Sequence, residues 1–346
     1  MVVCKTMVFK IKLIIMKTAC VLGGGGFIGN HMVTKLKELG YWVRAVDVKL
    51  PEYSISMADE FAIKDLRSGF VVSDVLVSPN QKKTNNKENS FDLVFQFAAD
   101  MGGMGYLAGG GHDADVMYNS AIINLNVAKI ASKFGVKKLF FSSSACVYPM
   151  ELQETSDNLG LKEKDAIPAH PDLCYGWEKL HSEWVYDAFM RNYGLSIRIG
   201  RFHNIFGTHG TYENFKAKAP AALCFKVANA KDGDAIEVWG DGLQTRSFLY
   251  IDECIEGILR LMDSNYTQPV NIGSDEMVSI NTLAQMIIDI SGKDVTIKNI
   301  QSDKIGVTGR NSDNTLINEV LGWKPSLPLS YGLIETYNFI NKKVNG

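Results

Sequence analysis

Thr18-Ala-Cys-Val-Leu22 runs straight into Gly23-Gly-Gly-Gly26-Phe27-Ile28-Gly29. The first five residues are short and apolar, which predicts a buried strand, and the glycines predict a tight turn. An amphipathic stretch from Asn30 to Leu39 follows and predicts a helix that Gly40 ends. Trp42–Val46 then predicts a second strand, closed by Asp47. Strand, glycine turn, helix, strand and acid make one βαβ unit.

Gly23, Gly26 and Gly29 stand in the spacing G-x-x-G-x-x-G. Glycine is needed where the chain turns tightly and where a pyrophosphate lies against the backbone. The helix N-terminus behind the turn offers unpaired N–H groups to phosphate. A run of four glycines could also be a mere flexible turn. Its place between a strand and a helix, with an acid at the end of the next strand, predicts dinucleotide binding instead. Asp47 would accept hydrogen bonds from ribose hydroxyls and repel a 2′-phosphate, which favours NAD over NADP.

Downstream, Phe61–Ile63 and Leu93–Phe97 predict further strands, with the polar stretch 78–90 (SPNQKKTNNKENS) as a surface loop. A helix is predicted over Ala121–Phe134, a strand over Lys138–Phe141, a long helix over Asp172–Arg191 and a strand over Leu195–Arg201. This alternation predicts an α/β fold, a Rossmann-type doubly wound parallel sheet. Beyond it, glycine, proline and aromatic residues punctuate shorter elements, which predicts a smaller C-terminal α/β substrate domain. The expected division is an N-terminal extension at 1–16, a dinucleotide-binding domain at 17–205 and a mainly substrate-binding domain at 206–346, with some chain crossing back.

The bulk properties exclude several classes. The 346 residues are 46% hydrophobic and 21% charged, with a net charge of −2. That gives no global basic field for nucleic acid or for an anionic membrane, so neither is an expected partner. Six scattered cysteines form no Cys-x-x-Cys pair, so no metal is expected. Reduced thiols in a cytoplasm fit a nucleotide-binding chain better than disulfides. Met7–Met16 (MVFKIKLIIM) is short and broken by Lys10 and Lys12, which argues against a signal peptide. No stretch approaches the ~20 apolar residues of a membrane span.

Tyr175-Gly-Trp-Glu-Lys179 places a phenol and an ammonium one turn apart on a helix. The ammonium is expected to lower the phenol's pKa and make it a base for a sugar hydroxyl. Alone, the pair is ordinary surface chemistry. Together with the serines Ser142–Ser144 at a strand end and the N-terminal glycine turn, it resembles the extended short-chain dehydrogenase/reductase family. Further blocks narrow the resemblance to that family's NAD-dependent nucleotide-sugar epimerases. They are FAADMGGMG (97–105), SSACVYP (143–149), GRFHNIFG (200–207), KAPAA (218–222), WGDGLQTRSF (239–248), IDEC (251–254), VNIGSDEMVS (270–279) and GRNSDN (309–314). The likeness runs from about residue 18 to about 340.

The resemblance implies roles. Tyr175 and Lys179 would be the redox pair, Ser144 would bind the sugar, and Cys146 and Lys218 would be acid and base on opposite ring faces. Gly23, Gly26, Phe27, Ile28, Asp47, Asp65, Leu66 and Ala98, with Tyr175 and Lys179, would hold NAD. Gly102, Ser144, Ala145, Cys146, Asn204, Lys218, Lys226, Gln244, Thr245, Arg246 and Arg310 would hold a nucleotide sugar, GDP-mannose or one like it. A homodimer is also implied. Taken without that context, Cys146 reads as a small core residue, Lys218 as one of a solvated lysine pair and 98–105 as a glycine-rich loop. Trp177, Ala217 in place of the usual glutamate, and AGGGHDAD (108–115) depart from the plant members' pattern. Two other readings stay open: an epimerase/reductase resembling GDP-fucose synthase and consuming NADPH, and a catalytically dead NAD-binding regulator.

Overall fold

Along the first strand, β1 (Thr18–Leu22), Ala19 and Val21 face one side and Cys20 and Leu22 the other. All four are fully buried. A strand buried on both faces belongs inside a sheet covered by helices on each side. That is the arrangement in the computed structural model, which describes residues 16–80, 90–107, 111–214, 216–302 and 306–346. Residues 1–15 of the extension, 81–89 of the polar loop and 108–110 of the AGGGHDAD stretch lie outside the described residues.

The remaining strands of this sheet are β2 (Trp42–Asp47), β3 (Glu60–Ile63), β4 (Leu93–Gln96), β5 (Lys138–Ser144) and β6 (Ile197–Phe202), with Val270–Ile272 as the seventh. The order is Val270–Ile272, β6, β5, β4, β1, β2, β3, and every pairing is parallel. The chain reverses its direction of growth between β1 and β4. In an open parallel sheet this switch point, at the carboxyl ends of the strands, is where a ligand crevice forms.

Helix α1 (Phe27–Glu38) packs Met32, Val33 and Leu36 on one face of the sheet. Helices α2 (Gly69–Val75), α3 (Met104–Leu107), α4 (Asp113–Phe134) and α5 (Leu173–Tyr193) come next in the chain. Val72, Ile123, Val127 and Tyr186, from α2, α4 and α5, fill the opposite face. Each such large apolar side chain contributes ~1.5–3 kcal/mol on burial. Past β6, helix α6 (Ala219–Asn229) and the helices Ile251–Asp263, Ile280–Ser291 and Leu329–Asn345 join the first core. Three small sheets lie among them. Ala235–Trp239 pairs with Thr296–Ile300, Ile205–Phe206 with Leu249–Tyr250, and Thr245–Ser247 with both Met277–Ser279 and Gly309–Arg310.

Two differences from the sequence expectation are instructive. Helix α4 begins at Asp113, well before Ala121, because Asp113 and Asp115 occupy its first turn, where carboxylates suit the helix dipole. Strand β5 continues through the serines to Ser144. They are polar, so the apolar run that predicts the strand stops at Phe141. They stay extended and buried because Ser142 Oγ donates to Gln96 O and Ser143 Oγ donates to Glu183.

Candidate active site

The glycine turn is built by close approach. Gly23 has a φ of +85°, and a Cβ there would stand 2.7 Å from Ala98 N, at the end of β4. A Cβ on Gly29 would stand 2.0 Å from Gly23 O. Helix α1 can therefore start against the turn only if both stay glycine. Gly26 is its N-cap, and no side chain caps the first N–H groups, those of Phe27 and Ile28 included. Asp47 accepts from Gly25 N–H at 3.0 Å and from Val48 N–H at 2.7 Å. Burial raises its pKa and these N–H bonds oppose the rise. An uncapped helix N-terminus, a cradle a side chain would fill and an acid at its rim fit the pyrophosphate and ribose of a dinucleotide. Leu66 is buried beyond the end of β3. Asp65 is held by Arg67 at 2.6 Å, and that bond lowers its pKa.

At the carboxyl end of β5, Ser144 Oγ caps the short turn Ala145–Val147 by accepting from Cys146 N–H at 3.2 Å. It also hydrogen-bonds the Tyr175 phenol. Lys179 Nζ donates to Ser142 O at 2.9 Å and lies 5.6 Å from the centre of the Tyr175 ring. The expected lowering of the phenol's pKa is corrected here. Burial pushes Tyr175 up, the charges of Cys146 and Glu178 push the same way, and only the Ser144 bond opposes them. Lys179 is itself buried, and burial pulls its ammonium below the ordinary lysine range.

Arg310 joins distant parts of the chain. It donates to Cys146 Sγ at 3.3 Å, to Asp172 Oδ2 at 2.7 Å and to Gln153 Oε1 at 2.5 Å. Burial lowers its pKa, but the charges of Cys146 and Asp172 outweigh that and raise it. Arg246 is its register partner across the small parallel ladder. Burial and the Arg310 charge pull Arg246 down to about 9. Two guanidiniums flank one carboxylate there, which suits a further anion such as a diphosphate. Lys218 is the N-cap of α6, and burial pulls its ammonium below the ordinary lysine range while the Cys146 charge opposes this. The positive end of the helix dipole acts in the same direction as burial.

The sequence-predicted residues thus fall into three groups. Ser144, Ala145, Cys146, Tyr175, Lys179 and Arg310 come together, with Arg246 in register beside Arg310 and Lys218 close enough to feel the charge of Cys146. Gly23, Gly26, Phe27, Ile28, Asp47 and Ala98 gather at the glycine turn. Of the others, Lys226, Gln244, Asn204 and Thr245 bond to main chain. Lys226 Nζ donates to Glu237 O at 2.6 Å and Gln244 Nε2 to Trp239 O at 3.2 Å, both on Ala235–Trp239. Asn204 donates to Ser247 O at 2.9 Å and Thr245 Oγ1 to Ser156 O at 2.6 Å. Gln244 Oε1 is buried with no hydrogen-bond partner among the described residues. Gly102 is buried against Tyr106 in the loop after β4. Trp177 is exposed, so that departure leaves the site untouched.

Sequence reading missed Asp172 and Gln153. An acid one residue before a helix normally signals a cap. Asp172 makes no capping bond and spends its carboxylate on Arg310 instead. No spacing links 153, 172 and 310, so only the fold could reveal them.

The model of the NAD dependent epimerase/dehydratase family matches residues 19–273. The chain belongs to that family. Within it, the chain is 44% identical over 326 residues to GDP-mannose 3,5-epimerase 1 of Oryza sativa subsp. indica, covering 94% of this chain and 82% of that protein. GDP-mannose 3,5-epimerase of Arabidopsis thaliana matches at the same identity and coverage. UDP-glucuronic acid decarboxylase 1 of Danio rerio is 26% identical, covering 95% and 73%. In fold, the chain superimposes on UDP-glucose 4-epimerase of Thermotoga maritima with a TM-score of 0.82 at 24% identity, covering 95% of this chain and all of that one. NAD is the cofactor of the family, and the cradle described above fits it. Among the described residues no helix is long and apolar enough to cross a membrane.

Proposed function

We propose that this chain epimerises GDP-mannose at C3 and C5 through a transient 4-keto sugar. It is an isomerase of the nucleotide-sugar epimerase type. What supports the finer reading is the contact of Arg310 with Cys146 beside Ser144, Tyr175 and Lys179, with the N-cap Lys218 close enough to feel the charge of Cys146. A carbon acid/base pair beside an alcohol-oxidising pair is what inversion next to a ketone requires. The relatives that share 44% identity with it carry the same activity in their names.

NAD on the glycine turn supplies the means to oxidise C4 and to reduce it again, with no net consumption. Tyr175 takes the proton of the 4-hydroxyl and later returns it, while Ser144 hydrogen-bonds the same oxygen. Burial raises that phenol's pKa, so the role needs positive charge beside it, from the Lys179 ammonium and from the oxidised nicotinamide that NAD would bring. The ketone acidifies the hydrogens on C3 and C5 through enolate resonance. Cys146 and Lys218 remove and return those protons from opposite faces, which inverts each carbon. A lysine whose neutral form is favoured by burial gives up a proton more readily than a solvated one. Arg246 and Arg310, with Lys226, neutralise the diphosphate, and Gly102, Ala145, Asn204, Gln244 and Thr245 complete the sugar nucleotide's contacts. Phe27, Ile28, Asp47, Asp65, Leu66 and Ala98 hold NAD.

The assembly in this reading is a homodimer. Helices α4 and α5 each expose apolar residues seven apart, Tyr118 with Leu125 and Trp177 with Trp184. Such stripes suit burial against a second copy. The five described cysteines are unbridged, as a cytoplasmic protein's would be. A screen of GDP- and UDP-sugars, with products read by NMR, tests the substrate. GDP-L-galactose or GDP-L-gulose from GDP-mannose, without added reductant, is the expected result. Turnover that consumes NADPH in proportion to product, or that occurs with UDP-sugars alone, would overturn it.

A further inference from the structure

Lys218 sits at the end of an irregular segment, and an acid/base residue misplaced by about 1 Å can lose ~10²-fold in rate. Among the described residues, the segment's internal bonds run from Lys216 and Ala217 back to Asn214. Lys216 N–H donates to Asn214 Oδ1 at 2.8 Å and Ala217 N–H to Asn214 O at 2.9 Å. The turn is fastened from across the cleft, by the loop after β4. Gly103 N–H donates to Lys216 O at 3.0 Å. The approach is so close that a Cβ on Gly103 would stand 2.4 Å from Ala217 O.

Beside that bond, the Lys216 ammonium lies 4.1 Å from the centre of the Tyr106 ring. This is well within the range of a cation–π contact. Tyr106 is itself fixed. It is 7% exposed and packs in one small cluster with Val116 and Tyr175, against which Cys146 also lies. Its ring stacks on His112 with centroids 4.3 Å apart. Its hydroxyl donates to Asp100 Oδ1 at 2.9 Å. Asp100 Oδ2 accepts from Asn119 Nδ2 at 2.9 Å and Asp100 N–H donates to Ser120 Oγ at 3.0 Å, so the brace ends on α4. Burial and the Asp100 carboxylate push the phenol up to about 12, which keeps it a donor.

We propose that Tyr106 is a positioning residue for Lys218: the ring, anchored through Asp100 on α4, holds Lys216 and thereby sets where the Lys218 amine stands. Tyr106 acts on the step that Lys218 serves and not on oxidation at C4, which belongs to Tyr175. The proposal rests on the reading of Lys218 as an acid/base residue.

The test uses the holoenzyme with GDP-mannose and two readouts. Transient reduction of bound NAD reports oxidation at C4, and deuterium entering C3 and C5 in D₂O reports proton exchange. Lys216→Ala is expected to slow exchange and inversion by roughly tenfold to a hundredfold while NAD reduction stays near wild type, and Tyr106→Ala, whose ring also packs beside Tyr175, is expected to slow exchange and inversion more than NAD reduction. Tyr106→Phe and Lys216→Arg keep ring and cation and should restore most of the rate. Because both alanine variants break one contact, the double variant should be no slower than Tyr106→Ala. Lys216 is exposed, so its variant reads the brace even if Tyr106→Ala folds poorly. Equal slowing of NAD reduction and exchange, additive losses in the double variant, or wild-type exchange in Lys216→Ala would overturn the proposal. If Lys218→Ala itself inverts at the wild-type rate, the parent reading fails and takes the brace with it. A dead Lys218→Ala beside a wild-type Lys216→Ala and Tyr106→Ala sinks the brace alone.

Discussion

The two ends of the cleft are built on opposite principles. The dinucleotide cradle is made almost wholly by backbone between β1 and Lys49, and its chemistry is that of N–H groups at a helix N-terminus. The acid/base cluster is made by side chains from β5, α5, the N-cap of α6 and the Gly309–Arg310 strand. Sterics fixes the first, since an added Cβ at Gly29 would meet a carbonyl oxygen at 2.0 Å. Charge fixes the second, where Arg310 is tied to Asp172 and Cys146 in a buried setting. The contrast teaches that a cofactor can be held by a contiguous motif, whereas chemistry on two faces of one sugar ring needs groups converging from distant segments.

Damage at the chemical end should be large in rate and small in cofactor content. Tyr175→Phe keeps the ring's packing and removes the proton carrier. It should retain bound NAD and lose turnover by the ~10²–10⁴-fold that general acid/base catalysis supplies. More than about one per cent of wild-type activity would break the assignment.

Asp172→Asn probes the charge that organises the same end. Weakening one partner of a buried pair leaves the other undercompensated, at a cost of up to ~3–5 kcal/mol for full removal. Denaturant unfolding should show a loss within that limit, together with weaker nucleotide-sugar binding, while NAD content stays unchanged. A variant as stable as wild type would mean that Arg310 is held by something other than Asp172.

Gly29→Ala strikes the other end. Overpacking against Gly23 O should cost ~1–3 kcal/mol. Purified protein should carry less NAD, and the residual holoenzyme should turn over normally. Full NAD content in this variant would show that the turn yields more easily than its geometry implies.

The smallest effect is a shift in pH dependence. Burial favours the neutral amine of Lys218, so the limb of the profile that it governs lies below the ordinary lysine value of 10.5. Where Lys218 accepts a proton, exchange rises as pH climbs through this lowered pKa, before 10.5 is reached. The limb should vanish in Lys218→Ala, and a limb at or above 10.5 would contradict the burial argument.

How much was legible in the sequence follows from the same contrast. The spacing of Gly23, Gly26 and Gly29 before Asp47 carries the cradle because every contact there is local. Strand β1 was also readable as a short all-apolar run, and the body of α5 as a long stretch with no proline to break it. The start of α4 was not, because an acidic first turn has no apolar stripe. The Ser142–Ser144 extension of β5 was hidden because polar residues stay buried there through partners at Gln96 and Glu183. Cys146 and Lys218 were found by resemblance alone, and the phenol's pKa was misjudged because burial cannot be read from a Tyr-x-x-x-Lys spacing. Asp172, Gln153 and Tyr106 carried no signal, as their partners lie far away in the chain.

The most direct test of inversion beside a C4 ketone is the position of solvent hydrogen in the product. Purified protein is incubated with GDP-mannose in D₂O, and the sugar is examined by NMR. Cys146 and Lys218 exchange with solvent, whereas the C4 hydrogen returns from the carbon that took it. The account predicts deuterium at C3 and C5 and none at C4, with inversion lost in Cys146→Ala and in Lys218→Ala. Deuterium at C4, or both alanine variants inverting at near wild-type rates, would contradict it.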